Sequence, residues 1–276
     1  MRRMPNRAPL TDWLVPAGDR LRLASRDPDS TPHAPGDRDT TNAAAVALHN
    51  ELGVLQERLW AENERSLLVV LQAMDAGGKD GTIKKVFTGV NPQGVKVTSF
   101  KAPSDEERAY DFLWRIHRCA PRHGEIGIFN RSHYEDVLVV RVHGWITPQV
   151  CKARYESIKA FERTLSREGT RVVKLMLHIS KDEQAARMRK RLEKPNKAWK
   201  FNTADLEERK YWDDYTKAYQ DALSATSTDD APWYVVPANK KWYRDWAVLT
   251  ILTETLREMD PKFPPPQIDL SKVIVE

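Results

Sequence analysis

Between Ser66 and Ala73 the chain reads Ser-Leu-Leu-Val-Val-Leu-Gln-Ala, and Met74-Asp75-Ala76-Gly77-Gly78-Lys79-Asp80-Gly81 follows without a break. A nearly continuous apolar run of this length reads as a parallel strand buried on both faces. Thr82-Ile83-Lys84-Lys85-Val86-Phe87 then resumes as a helix. Strand, glycine-rich turn and helix, in that order, are the context a phosphate-binding loop requires. Gly77, Gly78 and Gly81 let the backbone turn tightly, so that the amides from Ala76 to Asp80 face one concavity. The N-terminus of the following helix adds partial positive charge there. Lys79 can reach outer phosphate oxygens as a mobile point charge. Two positions depart from the usual pattern. Ala73 stands where the first glycine belongs, and Asp80 replaces the hydroxyl residue that normally touches magnesium. Asp75, a hard oxygen ligand inside the loop, is the candidate to hold that metal instead.

The rest of the chain fits an α/β fold. Ala45, Leu48, Leu52, Leu55 and Leu59 recur at helical spacing. Further strands are expected at Val95–Phe100, Gly124–Phe129, Val172–Ile179 and Trp233–Val236. Ser104-Asp105-Glu106-Glu107 opens a helix as a capping box; Tyr110, Leu113, Trp114 and His117 face inward along it, and Pro121 ends it. Helical patterns occupy Pro148–Arg167, Lys181–Glu193, Asp205–Leu223 and Trp242–Met259. Strands alternating with helices predict a mostly parallel, five-stranded sheet covered on both faces. Residues 1–40, rich in turn formers, are expected to be an irregular extension, 41–260 one domain and 261–276 an extended tail.

Composition narrows the partners. The 276 residues carry 44 basic and 39 acidic side chains, a formal net charge of +5. That excess suits an anionic ligand but is weaker than a dedicated nucleic-acid coat needs. No run of eighteen apolar residues occurs, so no membrane span is expected. No apolar stretch follows the basic N-terminus, which argues against a secretory signal. Only two cysteines are present, Cys119 and Cys151, which fits a reducing cytoplasm better than a disulfide framework.

A second polar cluster ends the third expected strand: Ile128-Phe129-Asn130-Arg131-Ser132-His133-Tyr134-Glu135-Asp136. In a parallel sheet, ligands gather beyond the carboxyl ends of the strands, so the two loops should face one crevice. Asn130 is placed to complete a metal shell, Arg131 to brace a transferring phosphoryl group, and Glu135 to bind metal or position an acceptor.

These pieces together resemble the polyphosphate kinase 2 family. The matching segments are Met74 to Gly81, Phe129 to Val137, Arg141-Val142-His143-Gly144, the Arg-rich helix Arg187–Arg191 and Tyr234 to Trp242. The resemblance spans Thr41 to Asp260, with the motifs in order. It implies a P-loop kinase, thymidylate-kinase-like, three-layer α/β/α fold with a helical lid, here residues 181–223. It also implies direct, in-line transfer of a terminal phosphoryl group from inorganic polyphosphate to adenine nucleotides, with guanine nucleotides as a further class. The implied cofactor is Mg2+, or Mn2+ in its place, held by Asp75 and Asn130. Asn130 with Tyr134-Glu135-Asp136 looks more like the class taking both AMP and ADP. Family members are commonly homo-oligomers.

A phosphate chain needs a series of cations. Lys84 and Lys85 after the loop, Lys101, Arg115 and Arg118 are the candidate rungs, joined by Arg187 and Arg191 as lid arginines that swing inward. Only clustering would make such charges count, because isolated exposed charges are screened. Trp199, Phe201, Tyr211 and Trp212 are candidates to stack a base, whereas His133 and His143 read as structural. Two competing readings are an ATP-dependent nucleotide kinase and, further off, a basic nucleic-acid-binding module. No signature of a known nucleic-acid-binding motif supports the latter.

Overall fold

The computed structural model describes residues 10–193, 203–269, 273 and 275. Its strands are β1 Leu14–Val15, β2 Ser66–Ala73, β3 Val95–Ser99, β4 Ile126–Asn130, β5 Thr170–His178 and β6 Trp233–Pro237. They form one sheet in the order β1-β6-β5-β2-β4-β3. Every pairing is parallel except that of β1 with β6. All eight residues of β2 are buried, as a central strand with helices over both faces demands. The chain leaves β2 for β3 and β4 on one side and returns through β5 on the other. That reversal opens a crevice at the carboxyl ends of β2 and β4, where Leu71 lies opposite Asn130.

The longer helices are α1 Arg38–Glu62, α2 Lys79–Val86, α6 Pro148–Arg167, α7 Lys181–Leu192, α9 Trp212–Thr226 and α10 Lys241–Met259. The short α3 Asp105–Arg108, α4 Trp114–His117, α5 Val139–Val142 and α8 Ala204–Glu208 connect them. One layer holds α10 packed on α1 and α2, and another holds α6 packed on β5 and α9. Trp246 to Thr253 of α10 are buried without interruption. Such a helix is apolar all round because it is sandwiched between the sheet and α1. Starts are set locally: Asp37 accepts the amide of Thr40, Ser180 that of Glu183, and Pro148 occupies the first turn after the Thr147 cap.

The structure departs from the sequence-based expectations in three places. The sheet has six strands, not five, because the supposedly irregular N-terminal stretch supplies β1. Leu10, Trp13, Val15, Leu21 and Leu23 from that stretch are buried, and the indole of Trp13 donates to the Tyr243 hydroxyl at 2.9 Å. The helix expected from Ser104 is two single turns, α3 and α4. Its capping box forms, but Tyr110 is 51% exposed and stacks flat on Trp114 with 4.1 Å between centroids. The helix expected over Asp205–Leu223 breaks at Arg209–Tyr211 into α8 and α9.

Between β5 and α6 lies a fully buried charge cluster. The Lys174 ammonium donates to Glu162 Oε2 at 2.6 Å, to the Tyr134 hydroxyl at 3.0 Å and to the Thr226 carbonyl at 2.8 Å. Glu162 also accepts from Tyr134, and His133 Nε2 lies 3.3 Å from it. Burial alone would raise the Glu162 pKa, but Lys174 and His133 outweigh it and hold the carboxylate ionised. Burial drives the His133 pKa down, so its ring is neutral. Its burial beside Glu162 fits the structural reading of His133. The cluster anchors the loop after β4 from beneath. Lys174→Met should therefore cost about 3–5 kcal/mol in a urea titration, because it strands Glu162 without its partner. Below the ordinary imidazole range the unfolded chain takes up a proton that buried His133 refuses, so stability falls as pH falls. His133→Gln should flatten that slope by up to roughly 1.4 kcal/mol per pH unit, read as urea midpoints between pH 7.5 and 5.

Candidate active site

The turn after β2 is built on left-handed backbone. Ala76 has φ of 59° and Gly78 of 103°. A Cβ on Gly77 would come within 2.5 Å of the Ala73 Cβ and 2.7 Å of the Met74 carbonyl. At Gly78 a Cβ would collide with Arg244 Nη1 and stand 3.3 Å from Arg187 Nη1. Alternating right- and left-handed residues make the concave backbone nest that binds anions, and α2 begins at its edge.

A loop whose amides converge must turn carbonyls the other way, and buried carbonyls need donors. Arg187 supplies them. Its Nη1 donates to the carbonyls of Ala76 at 3.1 Å and Gly77 at 2.9 Å, and its Nη2 to those of Ala238 and Asn239. Glu183 holds the remaining edge of the guanidinium through Nε at 2.6 Å. Gln184, one turn from Arg187 on α7, donates to the Asp75 carbonyl at 3.0 Å.

The second loop leaves β4 at Asn130, and Arg131 takes a left-handed φ of 63°. That turn aims the guanidinium across the crevice, where Nη2 meets Asp75 Oδ1 at 2.9 Å. The Asn130 amide nitrogen donates to Asp80 at 2.9 Å and to Ser99 at 3.4 Å. Asp75, Arg131, Glu135, Asp205, Glu208 and Tyr215 line a cavity of about 270 Å³. A second cavity, of about 750 Å³, lies elsewhere, between Arg20, Arg141 and Tyr155, and none of the loop residues lines it.

The charges in the crevice act on one another. Burial, with Arg131 nearby, pushes the Lys79 pKa down against the pull of Asp75, Glu135 and Asp80. Its ammonium donates to the Ala73 carbonyl at 2.9 Å. Burial and the proximity of Asp75 raise the Asp205 pKa, while Arg191 Nη1 pairs with Asp205 at 3.3 Å. Carboxylates crowded against each other in this way favour a cation between them. Among the described residues no three or more His, Cys, Asp or Glu side chains converge on a metal-sized point. A magnesium-type ion does not need three, since it takes one or two carboxylates and fills its shell with water and phosphate oxygens. Asp75 and Asp80 as carboxylates and the Asn130 amide oxygen fit that donor chemistry.

A model of the Polyphosphate kinase 2 (PPK2) family matches residues 36–264. The chain belongs to the polyphosphate kinase 2 family. The AMP/ADP-polyphosphate phosphotransferase of Meiothermus ruber is 52% identical over 264 residues, which covers 96% of this chain and 99% of that one. The ADP-polyphosphate phosphotransferase of Rhodopseudomonas palustris is 47% identical over 229 residues, 77% of this chain and 78% of that one. The crystal structure of polyphosphate kinase 2 from Arthrobacter aurescens TC1 superposes with a TM-score of 0.92 at 46% identity. It covers 95% of this chain and 94% of that one.

In this family member the fold brings Asp75, Lys79, Arg131, Glu135 and Arg191 around one crevice and sets Asn130 against Asp80. It does not bring the other cations there in the way expected. Lys84 and Lys85 are exposed on the outer turns of α2. Arg118 lies over the Trp114 ring at 4.6 Å, and the side chain of Arg115 is only 7% exposed, facing Asp136 and Glu107. Arg187, expected to swing inward with a lid, is buried beneath the loop because four carbonyls hold it. Trp212 lines the cavity and Tyr211 packs on His143 at 5.1 Å between centroids; Trp199, Lys200 and Phe201 lie outside the described residues. Sequence reasoning missed Gln184 and Arg244. Neither residue belongs to a motif that the pattern marks, and only the 187–191 arginine cluster hinted that α7 faces the loop. Arg187→Met should destabilise the protein by about 3 kcal/mol or more in chemical denaturation, since it strands Glu183 and buried loop carbonyls. Turnover should fall even at temperatures where the variant stays folded.

Proposed function

We propose that this polyphosphate kinase 2 transfers the terminal phosphoryl group of inorganic polyphosphate to both AMP and ADP, with magnesium as its ion. The observation that carries the reading is the Arg131–Asp75 contact at 2.9 Å. It joins the anion nest to the second loop across the crevice, so donor and acceptor phosphates can be held on either side of one ion pair. The 52% identity to a relative named for both AMP and ADP supports the acceptor pair.

In the reaction the bond from the terminal phosphorus to the bridging oxygen breaks. A bond to an oxygen of the acceptor's terminal phosphate forms in line with it. The acceptor oxygen is already ionised near neutral pH, so no strong base is required. Catalysis is positioning and charge stabilisation. The loop amides and Lys79 hold the donor's end. Desolvation of Lys79 strengthens its pull on phosphate oxygens, because little water competes there. Arg131 moves from Asp75 toward the transferring group as charge spreads over its equatorial oxygens. Arg191, paired with Asp205 at the crevice, is placed to add a second guanidinium. Asp75, Asp80 and the Asn130 oxygen would hold magnesium, which when bound neutralises phosphate oxygens of donor and acceptor. The described part of the chain contains no helix long and apolar enough to cross a membrane.

Incubation with polyphosphate, magnesium and either AMP or ADP should yield ADP and ATP, resolved by nucleotide chromatography. An enzyme that converts neither, yet phosphorylates nucleotides from ATP, would overturn the donor assignment. Asp75→Asn should lower turnover at least roughly a hundredfold, the scale expected when a preorganised charge is removed. Its melting temperature should stay within a few degrees of the parent's, and full activity in that variant would refute the metal assignment.

A further inference from the structure

One buried cation at the phosphate-binding loop is left without a task by the residues described so far. Arg244 lies in the first turn of α10, and its side chain is 3% exposed. Asp245 takes its Nε at 2.9 Å and its Nη2 at 2.6 Å. Nη1 makes no hydrogen bond among the described residues, and it occupies the space a Cβ on Gly78 would need. Nη2 lies 3.7 Å from where a Cβ on Gly81 would stand. The two absent side chains thus admit a guanidinium to the rim of the nest. A guanidinium on a largely buried side chain, bonded on only one edge, has an unmet demand for an anion.

The surroundings extend this feature in one direction. Asp245 is pushed toward neutrality by burial, and Arg244, Lys85 and Lys241 act against that push. Lys85 stands in the last turn of α2 and Lys241 opens α10, so both lie on the two helices that pack together beside Arg244. Asp205 and Glu135, by contrast, line the crevice together with Arg131. The loop is flanked by carboxylates on one side and by cations on the other.

We propose that Arg244 binds the donor chain just behind the transferring phosphoryl group, and that Lys85 and Lys241 continue the track along the α2–α10 groove for longer chains. The inference rests on polyphosphate being the donor. It assigns the direction in which the chain leaves the loop and makes Arg244 the contact that every donor uses, while the two lysines serve only donors long enough to reach them.

Kinetics with ADP as acceptor, comparing tripolyphosphate with long-chain polyphosphate, test this. Arg244→Gln should raise the donor KM for both by roughly tenfold to a hundredfold, the range of a charge-assisted hydrogen bond. The ADP KM should not move, and kcat should stay within about threefold, because uniform donor binding is what is lost. Arg244→Lys should recover most of the affinity. Lys85→Gln/Lys241→Gln should raise KM severalfold for long chains and leave that for tripolyphosphate unchanged. An unaltered donor KM in Arg244→Gln, or an equal rise in the ADP KM, overturns the proposal. Should Arg244→Gln fail to fold with Asp245 stranded, Arg244→Gln/Asp245→Asn removes the stranded charge and faces the same two criteria. If the parent protein transfers nothing from polyphosphate, the donor reading fails by itself. Calorimetric titration of tripolyphosphate into parent and variant then still decides whether Arg244 binds the chain.

Discussion

The site depends on a constraint of backbone geometry: amides can converge on a phosphate only if the carbonyls behind them find partners elsewhere. Positive φ at Ala76 and Gly78 gives the loop the backbone of an anion nest. The carbonyls of Ala76 and Gly77 then face the protein, and the guanidinium of Arg187 meets both. The same group reaches the carbonyls of Ala238 and Asn239, so one side chain ties the loop after β2 to the loop after β6. Asn239 extends the tie, accepting the Ser180 amide at 3.0 Å at the start of α7. Three strand ends are locked into a common frame by polar contacts that are nearly all inside the protein. Preorganisation of this kind lets dipoles stabilise charge without rearranging during the reaction.

A frame of buried arginines has an electrostatic consequence. Burial pushes the Arg187 pKa down, and Arg244 close by adds to that push. Glu183 and Asp245 offset it only in part. The excess is positive and sits directly behind and beside the nest, where a polyanion is to be received. The other wall carries the carboxylates of Asp75, Glu135 and Asp205 among Lys79, Arg131 and Arg191. The crevice is thus polarised across its width, and a low dielectric makes that polarity count for more than the same charges would in water.

How much of this was legible in the sequence follows from the range of each interaction. The strand–turn–helix around Gly77-Gly78-Lys79 depends on neighbours within fifteen residues, so pattern alone finds it. The Ser104 capping box is equally local and forms as read. Juxtaposition of the two loops follows from the parallel sheet, and Arg131 meets Asp75 accordingly. Buried charges are another matter. Arg187 and Lys174 look like surface residues in a hydropathy pattern, since nothing local announces partners that lie 51, 52 or 111 positions away. Strand β1 escaped for a similar reason: two residues carry no periodicity, and only the pairing with Tyr234 and Trp233 makes them a strand. The single helix expected from Ser104 failed because Ala109 to Leu113 break the winding and Tyr110 finds its partner in Trp114 instead of the core.

The departures at Ala73 and Asp80 are best understood together with the second loop. A hydroxyl residue after the loop lysine would offer a metal one neutral ligand. Asp80 offers a charge, and would overbind a cation if β4 delivered another carboxylate beside it. What β4 delivers is Asn130, whose nitrogen donates to Asp80 at 2.9 Å. That bond takes up part of the carboxylate's negative charge and leaves the amide oxygen as a neutral donor. Ala73 fits the same economy of space, since its small side chain packs against Gly77 while its carbonyl receives the Lys79 ammonium. The lysine is thereby held at the mouth of the nest, desolvated, with one hydrogen bond to exchange for a phosphate oxygen. A chain that alters one of these positions without the others changes either the charge beside Asn130 or the resting place of its lysine. The pairing of Asp80 with Asn130 therefore carries more information about the reaction than either residue does alone.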